Sequence, residues 1–369
     1  MNRTRTKLYL LINALVTIIH QRQKGAGIMR ISFDEMKSVI KNKMLMAGLS
    51  EEQAETCSQV HTESSQDGVY SHGLNRVPRF IDYVKRGWIN LEGTPELRKG
   101  FGCMENYDGN MGIGILNAKY CMNRAIELAK VHGIGVVTLR NTTHWMRGGT
   151  YAWDAVNAGY LAINWTNTES CMPAWGAKEI CVGNNPFCIG IPKKDGNHMV
   201  LDMAMSQYSY GKLQVTRLKG DQLPYAGGYD KDGNLSTDPG SIEQTKRLLP
   251  TGLWKGSGLA IALDVVAAIL SNGLPTSEID HVGKGSCGGC SQIFIAMNPY
   301  VFSSEEEIDT IIESTVQHLS SAEPERTDGI IYYPGQRTLL TREENSRLGI
   351  PVDETVWNDV CTLFPTKGF

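Results

Sequence analysis

What the chain lacks narrows it first. Its 369 residues include no basic excess, with 36 Lys and Arg against 39 Asp and Glu and a net charge of −3. Nothing in that balance suggests the clustered positive surface of a nucleic-acid binder. No Walker phosphate loop is present. The nearest approach to a GxGxxG turn, Gly109-Asn110-Met111-Gly112-Ile113-Gly114, has the reverse spacing, so a Rossmann dinucleotide fold is not signalled. The nine cysteines are odd in number and scattered, which fits reduced thiols in a cytoplasm better than a disulfide framework. Cys287-Gly288-Gly289-Cys290 is the single CxxC, and His281 alone does not complete a zinc site. That stretch reads as a glycine-rich loop before a strand, and no metal is expected.

The start of the chain lacks a membrane span. Arg3, Arg5 and Lys7 precede an apolar run from Leu8 to Ile19 that is 12 residues long, where a bilayer takes about 20. The run resembles a secretory n-region and h-region, but Gly25-Ala26-Gly27 makes a poor cleavage signal. Residues 1–28 are expected to be an extension outside the fold, with translation from Met29. A signal or anchor is the other reading.

What is present is an ordinary soluble composition, 41% apolar and 20% charged, in a chain long enough for about two domains. Phe33, Met36, Val39, Ile40 and Met44 recur at helical spacing over Phe33 to Leu49. Ser50 and Gln53 form a capping-box pair, which predicts a second helix from Glu51 to about Ser64. Pro78–Lys85 and Gly112–Val131 read as further helices, and Gly133–Leu139 as a buried strand. Leu161–Trp165, Phe187–Ile191 and Met199–Met203 are β-rich runs between turns. Residues 220–250 read as an ordered excursion. Gly258–Leu270 is an apolar helix, Gln292–Met297 a strand, Glu305–Leu319 a helix, and Gly329–Tyr333 a strand ending at Pro334-Gly335, with helices after it. The class is mixed α/β.

The chemistry concentrates in a few segments. Gly68-Val69-Tyr70-Ser71-His72-Gly73-Leu74-Asn75-Arg76 places a titratable imidazole near a guanidinium. His72 exchanges a proton near neutral pH, and Arg76, at the first turn of a helix, suits a carboxylate. A proton donor beside a carboxylate clamp serves an enzyme of keto or hydroxy acids, although a lone His before Gly also fits a plain turn. Asn141 to Gly149, holding His144-Trp145-Met146-Arg147, follows the strand that ends at Leu139, a common position for a site. Trp175 to Glu179 and Gly183 to Pro186 gather further polar groups. Trp254-Lys255-Gly256-Ser257-Gly258 heads a helix whose N–H groups and Lys255 would suit a phosphate.

Together these motifs resemble the malate/L-lactate dehydrogenase type 2 family, in order from about Met29 to Phe364. The resemblance implies a soluble cytoplasmic homodimer that reduces the 2-oxo group of a small keto acid with NAD(P)H. NADH is preferred and NADPH is left open. It also implies a non-Rossmann NAD-binding domain, expected over residues 141–309, and a helical substrate and dimerisation domain over 29–140 and 310–369. His72 matches the family's proton donor. In related ureidoglycolate dehydrogenases the histidine matching His144 has the acid/base role, so the two compete. Arg76 would hold the substrate carboxylate. Cofactor contacts carry over to His198, Met199, Val200, Leu201, Asp202, Met203 and Ala204, to Trp254 and Lys255, and to Gly335, Gln336 and Arg337. Gln336-Arg337 stand where the resemblance leads one to expect His-Glu, and Lys193 to His198 carries a short insertion. A malate-, lactate- or ureidoglycolate-type 2-hydroxy acid dehydrogenase is the runner-up. No nucleic acid, membrane or metal is implied.

Overall fold

The computed structural model describes residues 28–326 and 329–364. The basic and apolar segment expected to lie outside the fold falls almost wholly outside the described residues. Strand β1 (Ile28–Ile31) leads into helices α1 (Phe33–Met46), α2 (Glu51–Gln66) and α3 (Val77–Lys85). Then come β2 (Glu96–Phe101), β3 (Met104–Asp108), α4 (Gly114–His132), β4 (Ile134–Thr142), α5 (Gly149–Asn157), β5 (Leu161–Thr166), β6 (Phe187–Ile191) and β7 (Met199–Met203). After small hairpins and short helices follow α6 (Trp254–Ser271), β8 (Cys290–Met297), α7 (Glu305–Ser321), α8 (Gln336–Leu348), β9 (Ile350–Asp353) and α9 (Glu354–Thr362).

Seven strands form one sheet in the order β2-β3-β4-β8-β5-β6-β7. Only β3 and β4 run parallel; every other neighbour is antiparallel. The α4 and α5 helices cover one face through Met122, Ala125, Tyr151 and Phe294, and α6 covers the other through Leu263, Ala267 and Ile293. A third core lies under α1, α2, α3 and α9, closed by β1 pairing antiparallel with β9. The sheet draws β2, β3 and β4 from before residue 142, so it crosses the expected domain boundary near residue 140.

Local signals account for much of this. Both capping-box bonds between Ser50 and Gln53 form, and α2 runs two residues past its expected end. Gly133 ends α4 in the left-handed region at φ 79° instead of opening the strand. The CxxC stretch is a 3-10 turn over Gly285–Cys287 followed by β8. Among the described helices, α6 alone is long and apolar enough to cross a membrane, by length and composition. Here it packs on β8, β4 and β5, while Ile261, Val265 and Ile269 stay exposed.

Two expectations are corrected. Gly329–Tyr333 joins no ladder; Pro334 accepts one bond from Val200 N (3.0 Å), and Pro334 itself has no N–H to extend a ladder. The β2–β3 hairpin was not expected, because β2 is a sheet edge exposed at every position and carries no apolar alternation.

Candidate active site

His72 and Arg76 lie on two consecutive 3-10 turns, Tyr70–His72 and Leu74–Arg76, that link α2 to α3. The α2 helix holds these turns from below. His61 donates Nδ1–H to the Gly73 carbonyl (3.0 Å), and Ser65 Oγ accepts from Leu74 N (2.8 Å). A Cβ at Gly73 would collide with Ser65 Oγ and the Ser65 backbone, so only glycine lets the turn settle this close.

His144 leaves the end of β4 and its ring stacks on that of His72, with centroids 5.7 Å apart and planes 24° apart. The two imidazoles have different partners. His144 Nδ1 accepts from the Met146 N–H (2.9 Å), which fixes its proton on Nε2. Adding a proton at Nδ1 would set two donors against each other. His72 Nδ1 faces the Ser71 hydroxyl at 3.0 Å, which can donate or accept. His72 can therefore carry either charge state, whereas His144 is held neutral.

Burial, then the charge of Arg76, lowers the His72 pKa to about 4. The same two causes hold His144 well below its ordinary range. Burial also lowers His61 to about 4. Arg76 has no carboxylate in ion-pair range among the described residues; its side chain reaches only Ser286 Oγ, at 3.5 Å. Glu169 is within electrostatic reach, but burial pushes its carboxyl up, so it is a poor counter-ion. Arg76 is not among the residues that line the cavity the imidazoles face.

That cavity, about 220 Å³, is lined by His72, His144, Trp145, Arg147, Asp202 and Gln292, among others. Its charged wall is a chain of ion pairs whose two middle members, Arg147 and Asp67, are buried. Arg147 bonds Asp67 Oδ2 and Asp202 Oδ2 (3.2 Å), and Arg342 on α8 grips both oxygens of Asp67 at 2.7 and 2.9 Å. The Arg147 side chain is 5% exposed and that of Asp67 3%. A Cβ at Gly149 would strike the Asp202 carboxylate, so glycine there lets α5 start against β7. Sequence reasoning missed Asp67, although it directly precedes the Gly68 motif. It also missed Arg342, for which no local signal exists.

The three expected cofactor stretches gather along β7 and its continuation. Val200 N donates to Pro334 O beside Gly335, while Thr251 N donates to Met205 O (2.8 Å) shortly before Trp254 and Lys255. The run from Val200 to Met205 spans roughly 17 Å at strand rise, enough for an extended dinucleotide, and Asp202 and Ala204 on it line the cavity. The residues fit that group. Trp254 and Lys255 are exposed at the head of α6. His198 lies away from the imidazole pair: it accepts from Lys193 N (2.9 Å) and lines a separate cavity of about 240 Å³. Gln336 Oε1 accepts from Tyr333 N (3.2 Å), and Arg337 sits 5.8 Å over the Tyr332 ring. Met199, Leu201 and Met203 are half-buried on β7.

A mixed sheet with no Rossmann turn, an imidazole pair and an unpaired arginine define a class. The chain belongs to the malate/L-lactate dehydrogenase family, whose model matches residues 31–361. It is 41% identical over 335 residues to the 2,3-diketo-L-gulonate reductase of Citrobacter koseri, covering 91% of this chain and 100% of that protein. The same figures hold for the 2,3-diketo-L-gulonate reductase of Escherichia coli. Among solved structures, malate dehydrogenase from Entamoeba histolytica superposes with a TM-score of 0.86 at 25% identity, over 91% of this chain and 97% of that one. Sulfolactate dehydrogenase from Methanocaldococcus jannaschii superposes with a TM-score of 0.80 at 30% identity, over 90% and 95%. The chain is an oxidoreductase of the hydroxy- and keto-acid kind. The family's NAD(P) dependence supports a nicotinamide cofactor.

Two predictions follow from the buried charges. Asp67→Asn leaves Arg147 short of charge in the interior and should cost about 3–5 kcal/mol, read as a lower urea midpoint; an unchanged midpoint would show the ion-pair chain to be idle. His61 and His72 fold with pKa values of about 4, below the ordinary 6.5. Between those values the unfolded chain binds more protons, so stability is full above pH 6.5 and drains away as pH falls toward 4. Melting temperatures taken across that window should fall steadily with acidification, and a flat profile contradicts the assignment.

Proposed function

We propose that the chain reduces 2,3-diketo-L-gulonate to 3-dehydro-L-gulonate, with NADH preferred over NADPH, acting as a cytoplasmic homodimer. The observation that carries this reading is Arg76: a guanidinium without a carboxylate partner among the described residues, electrostatically coupled to two stacked imidazoles that line a cavity Arg76 itself does not line. An unpaired, largely desolvated cation is costly, and a substrate carboxylate is the counter-ion it lacks. The 41% identity to 2,3-diketo-L-gulonate reductases favours the diketo acid over the shorter 2-oxo acids.

A reduced nicotinamide, when bound, supplies the hydride that reaches the C2 carbonyl carbon. His72 acts on the oxygen. As C2 becomes tetrahedral its carbonyl oxygen gains negative charge, and His72 Nε2–H gives it a proton, so the imidazolium returns to neutral. Ser71 Oγ holds the far nitrogen and turns its own proton to suit either state. His144, neutral, donates Nε2–H to a substrate oxygen without losing its proton. Arg76 does not itself line the cavity; with its guanidinium turned toward the cavity it would orient the C1 carboxylate, which decides which carbonyl meets the hydride. Burial is the larger cause of the low His72 pKa and stays in place, but pairing with that carboxylate would offset the second cause, the Arg76 charge, and so push the pKa of the proton donor upward. Asp202, Met203 and Ala204 on β7, with Trp254, Lys255 and the Gly335 turn, would hold the dinucleotide, and Lys255 would balance pyrophosphate charge.

The assay is NADH oxidation with 2,3-diketo-L-gulonate. His72→Ala should lower kcat by about 10²–10⁴-fold, while His144→Ala should lower it less and raise KM. Near-normal turnover in His72→Ala would refute the proton-donor role, and a strong preference for oxaloacetate or pyruvate would refute the choice of substrate.

A further inference from the structure

Two polar groups on the cavity wall have no place in the chemistry above. Gln292 lies on β8, 1% exposed, and its Oε1 is buried with no hydrogen-bond partner. Trp145, also 1% exposed, has its Nε1–H buried and unpartnered. Both residues line the same cavity as His72 and His144. Phe294 links the two indirectly. The Trp145 ring meets Phe294 edge-on at 5.8 Å between centroids, and Phe294 follows Gln292 by two positions on the same face of β8.

A buried donor and a buried acceptor left open together are costly unless something in the cavity fills them. Two neighbouring polar residues of this wall, Asn167 and Thr166, are already engaged. Asn167 gives its amide to Asp264 and Leu274 O and accepts from Ser291 N, and Thr166 Oγ1 donates to Asn167 O. We propose that Gln292 and Trp145 form the subsite that reads the hydroxyl-bearing chain of the substrate, and so select polyhydroxylated 2-oxo acids over short ones. A hydroxyl both donates and accepts: the indole N–H donates to its oxygen, and its proton goes to the Gln292 carbonyl. A methyl group in the same place would leave both protein groups empty, which is how a site built around a hydroxyl rejects an analogue without one.

The inference rests on the proposed reading of the substrate and is tested with it. Gln292→Leu removes the amide at similar volume, and Trp145→Phe removes the N–H while keeping a ring against Tyr151 and Phe294. Steady-state reduction of 2,3-diketo-L-gulonate, pyruvate and oxaloacetate is compared, with NADH affinity followed by its fluorescence and folding by melting temperature. Each variant should lower the ratio of kcat/KM for the diketo acid over that for pyruvate by about tenfold. The double variant should fall short of the product of the two, because both groups serve one hydroxyl. NADH affinity should hold.

Equal loss on all three substrates, or weakened NADH binding, overturns the subsite and assigns the pair to the fold or the cofactor. No change in the ratio overturns it too and leaves a bound water as the occupant. A wild-type enzyme that itself prefers pyruvate or oxaloacetate overturns the functional reading and this proposal together. An intact diketo-acid preference with an indifferent variant overturns the subsite alone.

Discussion

The ion-pair chain from Asp202 through Arg147 and Asp67 to Arg342 is the constraint on which the rest depends. It joins the end of α2, the loop after β4, strand β7 and helix α8, four elements far apart in sequence. Two cations and two carboxylates balance, which is what allows Arg147 and Asp67 to be almost wholly buried. Because the charges are saturated, Arg147 lines the cavity without being available to a substrate. Its work is geometric. It holds β7, where the proposed cofactor residues lie, at a fixed place relative to the turns that carry His72.

Against that neutral wall, Arg76 stands out as a cation without a counter-ion. Its charge and the burial around it keep both imidazoles deprotonated in the free protein. On the proposed reading such a site is poised: a carboxylate that pairs with Arg76 would also relieve part of the field that opposes protonation. Proton donation is then tied to occupancy, and the free enzyme does not carry a charged imidazole in an apolar setting. The Nδ1 partners differ, a hydroxyl for His72 and a backbone N–H for His144, and on the proposed reading this difference divides the labour between two otherwise similar rings.

Much of the fold was legible. Ser50 and Gln53 announced α2, helical spacing announced α1 and α4, and β6 and β7 fell on their expected residues because each is bounded by turns. The exposed β2 was not legible, since an edge strand without a buried face has no alternation to read. Nor was the failure of Gly329–Tyr333 to pair, which depends on what stands beside it. The candidate residues His72, Arg76 and His144 could be named from motifs, but the stacking of the two imidazoles and their unequal partners are tertiary facts. Arg342 and Asp67 meet across 275 positions, and Gln292 reads in sequence as an ordinary strand residue. Long-range charge pairing and orphaned polar atoms leave no local trace.

The central claim is that His72 alone changes protonation when a 2-oxo acid arrives, while His144 stays neutral with its proton on Nε2. Nitrogen-15 NMR of histidine-labelled protein, with resonances assigned by His72→Gln and His144→Gln, reads both rings before and after binding of an inert carboxylate analogue such as oxamate. The account predicts that the His72 nitrogens move to imidazolium values near neutral pH and the His144 nitrogens do not. Protonation of His144, or two rings that both remain neutral, would contradict it.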